Sequence, residues 1–364
     1  MICITGKNML ILGIESSCDE TAASVVRDAT LVKDRILSNI VLSQEKEHQP
    51  FGGVVPEVAA RSHLKHMDEI IIAAMDEAKI TFNEIDGIAA TGGPGLIGGV
   101  IVGIMSAKAI ASVSKKPFIA INHLEGHALT ARLTSNISFP YLLLLVSGGH
   151  CQLLIAEGVG KYKRLGTTID DALGEAFDKC AKMMGLGYPG GPIVETTALK
   201  GNKRRFDLPR PMIGRKGCHF SFSGLKTAVR YQIEKLGLGN MSNQDISDLC
   251  ASFQEAAGDV LIDRCQHAIS EFRNIYPDGN NLVIAGGVAA NQSIKKRLAE
   301  LINTENIQLH VPPAQFCTDN AAMIAWAGIE KLKYGYTSPL DFKPRPRWPL
   351  DPTAPKAIGA GIKA

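Results

Sequence analysis

Two histidines lie four positions apart in the sequence, His123 and His127, directly after the apolar run at residues 118–122. On a helix, positions i and i+4 lie on the same face, so both imidazoles can bind one ion. Imidazole suits iron, zinc and similar metals, and two histidines leave coordination positions for further ligands. The alternative is a pair of unrelated histidines at a helix start. Because open α/β sheets bind ligands where strands end and helices begin, we favour the metal site.

The spacing does not decide the third ligand. Asp319 lies just before a helical pattern at residues 321–333, so it is a candidate ligand and equally a candidate helix N-cap. Glu125 does not match the zinc-peptidase motif H-E-x-x-H, in which the glutamate directly follows the first histidine. Glu125 stands two residues after His123, about 200° around a helix from it, and is expected to point away from the metal face. A peptidase of that type would lack its catalytic base.

Glycine pairs follow several strand-like runs, a pattern typical of phosphate sites. Glycine lets backbone N–H groups approach a phosphate, and a following helix N-terminus adds its positive end. Four such pairs occur: Gly92-Gly93, Gly148-Gly149, Gly190-Gly191 and Gly286-Gly287. Ser147 and Asn291 lie beside two of them, so we expect a nucleotide cleft. No Walker A sequence occurs, and the G-x-G-x-x-G match at residues 93–98 lacks an acid after the next strand, which disfavours P-loop and dinucleotide sites.

The elements that must position these residues follow an α/β pattern. Apolar runs predict strands at residues 9–15, 21–27, 85–91, 118–122, 141–146, 151–156 and 281–285. Helical periodicity predicts helices at 55–79, 96–114, 244–275 and 321–333, and one starting at about 291. The order of strand, glycine pair and helix occurs twice, around Gly92 and Gly286. We therefore predict two related α/β lobes, 1–135 and 136–350, with a cleft between them, a helical, basic insertion at about 189–275 and a tail at 351–364.

Length and composition narrow the class of protein. A chain of 364 residues suggests two domains, and its net charge of +3 is too small for a general nucleic-acid binder. The basic stretch at residues 200–216 would suit RNA phosphates, with a solvated loop as the alternative. Eight scattered cysteines without a C-x-x-C pair indicate reduced thiols. With no signal-peptide pattern and no apolar run of membrane-spanning length, we predict a soluble cytoplasmic protein without a membrane partner.

Nine short motifs are spread from about residue 10 to 350: GIESSCDET at 13–21, GGVVPE at 52–57, HLEGH at 123–127, VSGGH at 146–150, DDALGEAFDK at 170–179, YPGGP at 188–192, FSFSGLK at 220–226, AGGVAAN at 285–291 and RPRWP at 345–349. Taken together, they closely resemble the family of tRNA N6-adenosine threonylcarbamoyltransferases, whose bacterial member is TsaD. The resemblance implies an actin-like ATPase (ASKHA) fold, which agrees with the two related halves.

The resemblance also implies site residues. It implies metal ligands at His123, His127 and Asp319. The substrate contacts that it implies are Leu145, Val146, Ser147, Gly148, Gly149, Asp178, Gly191, Glu195 and Asn291. In the polar turn at residues 16–20, between the first two predicted strands, Asp19 and Glu20 are our candidates for ordering the phosphate side of the donor or for transferring a proton. Archaeal and eukaryotic relatives have a tyrosine metal ligand near the Ser-Gly-Gly turn, which is residues 147–149 in this chain. Here Leu145-Val146 stands in its place, so phosphate, substrate or water would complete the coordination of the metal ion.

The implied reaction moves the threonylcarbamoyl group from threonylcarbamoyl-AMP to N6 of adenosine 37, in tRNAs that read codons beginning with A, and releases AMP. The implied cofactor is one divalent metal ion, with Fe²⁺ favoured over Zn²⁺ and Mg²⁺, and ATP or AMP are alternative occupants of the nucleotide site. The implied partners are tRNA, a TsaB-like paralogue, a TsaE-like ATPase and a separate synthase for the adenylate. A sugar-kinase-like phosphotransferase, a metallopeptidase and a chaperone-like ATPase are the rival interpretations.

Overall fold

The computed structural model describes residues 8–237 and 239–356. The strands in this part of the chain are β1 Leu10–Glu15, β2 Glu20–Arg27, β3 Ile36–Ser43, β4 Gly87–Gly93, β5 Phe118–Asn122, β6 Tyr141–Val146, β7 Cys151–Gly158, β8 Lys161–Thr167, β9 Asn281–Ala285 and β10 Gln308–His310. The α-helices are α1 Glu45–His48, α2 Pro56–Ala78, α3 Ile97–Ser114, α4 His123–Thr134, α5 Leu173–Met183, α6 Gly190–Ala198, α7 Ser223–Leu236, α8 Asn243–Ile275, α9 Gln292–Glu305 and α10 Ala321–Lys333. Short 3₁₀ helices lie at Val32–Asp34, Gln49–Phe51, Gly287–Ala290 and Ala314–Phe316.

The chain forms two compact units. Unit 1 contains Met1–Ser138 and Thr318–Pro352, and unit 2 contains Phe139–Cys317 and Thr353–Ala364. Each unit has one five-stranded sheet, in the order β3-β2-β1-β4-β5 in unit 1 and β8-β7-β6-β9-β10 in unit 2. In each sheet, the three strands that come first in the chain pair antiparallel with one another. The other two strands run parallel to the central strand, which is β1 in unit 1 and β6 in unit 2. The prediction of two related α/β halves is therefore confirmed at the level of topology.

The sequence predicted every strand inside the two sheets and the edge strand β5, and the strands that it did not predict all lie at sheet edges. The bounds of β5, β6, β9 and α10 are those expected, and the other predicted elements differ by one or two residues at most ends. The strands β3, β8 and β10 were not predicted. All three are edge strands with many polar, part-exposed residues, so they lack a continuous apolar run.

The predicted boundary of the second lobe is wrong at its C-terminal end. We expected residues 136–350 to form that lobe, but Thr318–Pro352 belongs to unit 1. The physical reason is α10, a helix rich in small residues that packs on β1, β2 and α4. A Cβ at Gly13 would lie 2.6 Å from the Ala325 nitrogen, so glycine allows this close approach of helix and strand.

The segment after α10 contacts the edge strand β5 and its neighbour β4 through backbone hydrogen bonds. Ser338 N donates to Phe118 O over 2.7 Å, and Arg345 N donates to Gly92 O over 2.8 Å. The expected insertion at 189–275 is helical, with α6, α7 and α8. Residues 357–364 of the expected tail and residues 1–7 of the expected first lobe lie outside the described residues.

Helix α3 is long and apolar enough to span a membrane by length and composition, so our expectation that no run reaches that length is wrong. Its residues Gly99, Val100, Gly103 and Ile104 are nevertheless buried, and the helix packs against α2 and β4. A third of the residues of α3 are buried inside unit 1. These contacts are those of a helix packed in a globular domain.

Candidate metal centre

The two histidines lie in the first turns of α4, which begins where β5 ends. Asn122 is the N-cap of this helix, and its side chain accepts a hydrogen bond from Leu124 N over 2.9 Å. Because positions 123 and 127 lie on one helix face, the two imidazoles meet edge to face with ring centroids 4.7 Å apart. Both side chains are buried, which holds the rings in place.

Asp319 completes this cluster within unit 1. Its Oδ1 atom lies 2.9 Å from His127 Nε2 and 3.4 Å from His123 Nε2. The three ligand atoms lie within 4.8 Å of one another. The N-cap of α10 is the next residue, Asn320, whose side chain accepts from Met323 N over 3.1 Å. The capping alternative for Asp319 is therefore wrong, and its carboxylate faces the histidines.

The chemistry of this donor set fits a divalent metal ion. Two imidazole nitrogens and one carboxylate oxygen on one side of an ion leave its other positions open, the arrangement typical of non-haem Fe²⁺ sites and also found at catalytic Zn²⁺. Mg²⁺ prefers oxygen ligands and fits less well. Glu125 is directed elsewhere, since its Oε2 lies 2.9 Å from Lys331 Nζ. The expectation that Glu125 points away from the metal face is thus confirmed.

A fully buried carboxylate supports the cluster from the other side of His123. Glu15 Oε2 lies 2.9 Å from His123 Nδ1 and accepts from Thr91 Oγ1 over 2.6 Å. Its other oxygen, Oε1, accepts from Ser17 N over 2.6 Å. The Ser17 hydroxyl also lies 3.1 Å from His123 Nδ1. Glu15 therefore joins the ends of β1 and β4 to the first residue of α4.

The electrostatics of the cluster favour a positive charge at its centre. Burial opposes protonation of His123, but Asp319 and Glu15 outweigh it and raise the pKa of the imidazole well above its usual value. Burial also opposes ionisation of Asp319, but the neighbouring His123 and His127 lower the pKa of this carboxyl. For Glu15, burial is likewise outweighed by His123, so its pKa is lowered. Without metal, a proton on His123 supplies the charge that a cation would otherwise bring.

Asp19 is the last residue of the turn after β1, and Glu20 is the first residue of β2; both lie close to the histidines and Asp319. Burial, together with the negative charges of Asp319, Asp19 and Glu15, raises the pKa of Glu20 well above its usual value. Burial, followed by Asp19 and Asp319, also raises the pKa of the Cys18 thiol, so this cysteine is not an activated nucleophile. The turn thus gathers acidic groups beside the candidate metal ligands.

The substrate residues expected from the sequence all lie in unit 2, around the carboxyl ends of the parallel strands β6 and β9. Leu145 and Val146 end β6 and are fully buried. The turn at residues 147–149 follows, closed by Ser147 N donating to His150 O over 2.8 Å. A Cβ at Gly148 or Gly149 would meet nothing within 4 Å, so the space beside this turn is open.

Helix α5 begins directly against this turn. Gly174 N donates to Ser147 O over 3.3 Å, and a Cβ at Gly174 would lie 2.7 Å from that oxygen and 2.8 Å from Gly148 Cα. Only glycine allows the helix to come so close. The positive end of the α5 dipole therefore lies next to the Ser-Gly-Gly turn, a favourable place for an anion.

Four hydrogen bonds hold the remaining substrate residues in place. Asp178 Oδ1 accepts from Gly190 N over 2.8 Å, directly beside Gly191. Glu195 Oε1 accepts from Gln292 N over 2.6 Å. Asn291 caps α9 by accepting from Ile294 N over 2.9 Å, and its amide donates to Gln254 Oε1 over 3.0 Å. Each expected residue therefore belongs to one connected region of unit 2, with the turns after β6 and β9 as its neighbours.

Comparison with known proteins decides the family. A family model described as TsaD, tRNA N6-adenosine threonylcarbamoyltransferase, matches residues 35–326. The chain belongs to this family. A tRNA N6-adenosine threonylcarbamoyltransferase of Rhodospirillum rubrum is 63% identical over 356 residues, which is 97% of this chain and 98% of the relative. The chain is therefore a transferase, and the activity of its family is threonylcarbamoyl transfer to tRNA.

Solved structures with little sequence similarity show that this TsaD family member has the expected fold. Component A of the (R)-2-hydroxyglutaryl-CoA dehydratase of Acidaminococcus fermentans aligns with a TM-score of 0.51 and 13% identity, over 90% of this chain and 99% of that one. HypF of T. kodakarensis aligns with a TM-score of 0.56 and 16% identity, over 90% of this chain and 48% of that one. The prediction of an actin-like ATPase fold is confirmed.

Several residues at these sites are not predicted by the sequence. Glu15 and Thr91 fall within predicted strands, although an acid at the end of an otherwise apolar strand is itself a signal of a buried partner. Asp170 has the position of an ordinary helix-start acid, but it accepts from both Phe222 N and Ser223 N at the start of α7, over 2.8 and 3.2 Å. Such long-range partners leave no trace in local spacing.

Proposed function

We propose that this protein transfers the threonylcarbamoyl group from threonylcarbamoyl-AMP to N6 of adenosine 37, in tRNAs that read codons beginning with A. Family membership supports the transfer, and the convergence of His123, His127 and Asp319 supports metal assistance. The exocyclic amine of adenosine is a weak nucleophile. The acyl donor must therefore be held still and made more electrophilic before the amine attacks, and AMP leaves.

One divalent ion would be held by His123 Nε2, His127 Nε2 and Asp319 Oδ1, with Fe²⁺ favoured and Zn²⁺ or Mg²⁺ as alternatives. When bound, such an ion polarises phosphate or carbonyl oxygens and stabilises the negative charge that develops on them. The remaining coordination positions are left to phosphate, substrate or water.

The adenylate would be bound by unit 2. Backbone N–H groups of residues 147–149, together with the N-terminus of α5, suit its phosphate. Asp178 and Glu195 carry carboxylate oxygens that can accept hydrogen bonds from the ribose hydroxyl groups. The side-chain amide of Asn291 can form hydrogen bonds with the nucleoside. The open space beside Gly191 leaves room for the ligand. ATP and AMP share these groups and are expected to occupy the same site.

The proton of the attacking amine needs an acceptor. Asp19 and Glu20 are our candidates for this role or for ordering the phosphate side of the donor. Burial, followed by the negative charges of Asp319 and Asp19, raises the pKa of Glu20, so its carboxylate is a stronger base than that of an exposed glutamate. A Glu20→Gln variant is expected to bind the adenylate but to modify tRNA much more slowly.

We assign tRNA contact to the exposed cations of the basic stretch. Lys203, Arg205 and Arg210 form ion pairs with acidic residues of α8, so we assign them a role in stabilising the fold. Arg204, Arg215 and Lys216 are exposed, and their charges suit the phosphates of RNA. The adenosine must be unstacked from its loop to reach the acyl donor.

A TsaB-like paralogue, a TsaE-like ATPase and a separate adenylate synthase are the partners that we propose, in the cytoplasm. The helix pair α2 and α3 is our candidate for the contact with the paralogue. These helices pack together in unit 1 and leave large apolar side chains exposed, among them Leu64, Ile72, Ile101 and Met105. An exposed apolar patch of this kind is typical of a protein interface.

The experiment that tests the proposed function is mass analysis of tRNA nucleosides. The purified protein is incubated with its partners, threonine, bicarbonate, ATP and unmodified tRNA, and the digested nucleosides are examined for threonylcarbamoyl-adenosine. The matched control replaces both His123 and His127 with alanine. Unchanged modification by the control would refute the metal role. Phosphorylation of sugars by the protein, without tRNA modification, would instead favour the sugar-kinase interpretation.

A further inference from the structure

We propose that Glu15 is a positioning residue for the metal centre. In this inference, which rests on the proposed metal site, Glu15 holds the proton of His123 on Nδ1 and thereby leaves Nε2 free to bind the ion. Carboxylates that accept from the far nitrogen of a metal-binding histidine fix both its tautomer and its ring orientation. Three observations on this chain support the same role for Glu15.

The first observation is the geometry at the two nitrogens of His123. Nδ1 lies 2.9 Å from Glu15 Oε2, and Nε2 lies 3.4 Å from Asp319 Oδ1 on the opposite side of the ring. His127 presents its own Nε2 to the same Asp319 oxygen, over 2.9 Å. The ion must therefore bind both histidines through Nε2, and this requires the neutral His123 ring to carry its proton on Nδ1.

The second observation is the burial and orientation of Glu15. Its side chain is fully buried, and Thr91 Oγ1 and Ser17 N donate to its two oxygens over 2.6 Å each. With these donors in place, the carboxylate can only accept, and it cannot turn away from the imidazole. A buried charge is costly unless it is paired and hydrogen-bonded, so this position gains from His123 as a third donor.

The third observation concerns what a neutral amide would do at this position. Glutamine has one oxygen, while the three donors contact both oxygens of Glu15. If the amide nitrogen faced Ser17 N, two donors would meet. If it faced His123, it would donate to Nδ1 and drive the histidine proton to Nε2, the atom that must bind the ion. Glu15→Gln is therefore the substitution that separates proton placement from side-chain volume.

The test measures binding of Co²⁺, as a spectroscopic probe, to the full-length protein. We expect Glu15→Gln to lower Co²⁺ affinity by about 10- to 100-fold and to shift the visible d–d bands, the usual scale for losing such a partner. Glu15→Asp keeps the carboxylate and is expected to restore part of the affinity. The matched control is Ser17→Ala, which removes the other polar group beside Nδ1 and is expected to bind Co²⁺ with little change. Thr91→Val removes one of the donors that orient Glu15 and is expected to lower the affinity, but less than Glu15→Gln does.

Several outcomes would overturn the inference. Tight Co²⁺ binding by Glu15→Gln with unchanged bands would do so, as would an equal decrease of affinity in Ser17→Ala, which would indicate a merely structural role. If Glu15→Gln does not fold, ¹⁵N-histidine spectra of the Zn²⁺-loaded wild type decide, because a proton on His123 Nε2 contradicts the proposal. Failure of the wild type to bind Co²⁺ or Zn²⁺ refutes the metal site itself, and tRNA modification measured separately shows whether the proposed transfer also fails.

Discussion

The His123 imidazole lies between Glu15 on its Nδ1 side and Asp319 on its Nε2 side. The two carboxylates attract either a proton or a metal ion to the same place. Because Asp319 and Glu15 outweigh the effect of burial, the pKa of His123 is raised, and a proton competes with the ion for this imidazole. Metal binding must therefore displace that proton.

The first prediction is that metal affinity rises with pH. Because the pKa of His123 is raised, protons compete with the ion for the site more strongly as pH falls, so affinity is expected to decrease continuously on acidification. Titration calorimetry with Zn²⁺ in buffers of different ionisation enthalpy should show proton release on binding. A binding constant that stays flat on acidification would contradict the prediction.

The second prediction separates two adjacent residues, Asp319 and Asn320. Asp319→Asn is expected to abolish the rise in melting temperature that added Zn²⁺ produces, because it removes one of the three ligands. Asn320→Ala removes the N-cap of α10 and is expected to lower the free energy of unfolding by about 1–2 kcal/mol, while the Zn²⁺ effect remains. Thermal unfolding with and without Zn²⁺ measures both. The reverse pattern would mean that the roles of these neighbours are exchanged.

At the scale of elements, helix termini position the sites. Helix α4 begins with a histidine ligand, α10 begins directly after its Asn320 cap, and α5 begins against the Ser-Gly-Gly turn. A small change at any of these termini moves a functional group. Two predictions concern α5 and the loop before it.

The third prediction is that Gly174→Ala weakens nucleotide binding. The added methyl group would lie 2.7 Å from Ser147 O and 2.8 Å from Gly148 Cα, both backbone atoms, so the turn itself must move. We expect AMP affinity, measured by calorimetry, to fall about 10-fold or more if one phosphate hydrogen bond to the turn is broken. Gly224→Ala is the control, since its methyl group would meet only a Pro211 carbon at 3.9 Å. Equal AMP affinity in both variants would refute the role of this close approach.

The fourth prediction concerns the ion pairs of Asp171, which lies 2.8 Å from Lys179 Nζ and 2.6 Å from Lys226 Nζ. Burial opposes its ionisation, but these lysines outweigh burial and lower the pKa of Asp171. A lowered pKa stabilises the fold above the unfolded pKa of aspartate, and the effect disappears as pH falls through the folded value. Asp171→Asn is therefore expected to cost about 2 kcal/mol at pH 7 and progressively less below about pH 4.

Urea unfolding at a series of pH values measures this difference. Asp207→Asn, a change at a fully exposed carboxylate, is the control and is expected to alter the free energy of unfolding very little at any pH. A constant difference between wild type and Asp171→Asn down to acid pH would show that packing, and not charge, is responsible.

At the scale of the whole molecule, one topology occurs twice and carries different chemistry. The turn after β1 holds acids beside two histidines, whereas the equivalent turn after β6 holds two glycines. The first arrangement attracts a cation, and the second leaves backbone N–H groups open to a phosphate. Surface charge is distributed just as unevenly, because much of the basic stretch is neutralised by α8.

The fifth prediction follows from that distribution. Replacing Arg215 and Lys216 with alanine is expected to weaken tRNA binding and to reduce the slope of log affinity against log salt concentration by about 1 for each RNA phosphate that is no longer neutralised. Arg205→Ala is the control, because Arg205 pairs with Asp245 and Asp248 and its removal is expected to affect stability instead. Filter binding over a range of salt concentrations measures the slope. An equal decrease in the control would mean that the whole stretch binds RNA.

Local patterns were enough for several strands and for two of the three candidate metal ligands. The apolar runs of β5, β6 and β9 predicted these strands with their correct bounds, because a strand covered on both faces needs an apolar residue at nearly every position. The four-residue spacing placed His123 and His127 on one face of a helix for the same kind of reason, since that relation depends only on helix geometry. The motifs in combination also indicated the family.

Other features depended on residues far apart in the chain, and only the tertiary structure decided them. Spacing alone left Asp319 between a ligand and an N-cap; folding assigns the cap to Asn320 and brings Asp319 to His127, which lies 192 residues earlier. The sequence also did not predict that Thr318–Pro352 belongs to unit 1 or that Glu15 contacts His123. The physical reason is that sequence periodicity reports which side of an element is buried, whereas the partner it is buried against is chosen by packing of the whole chain.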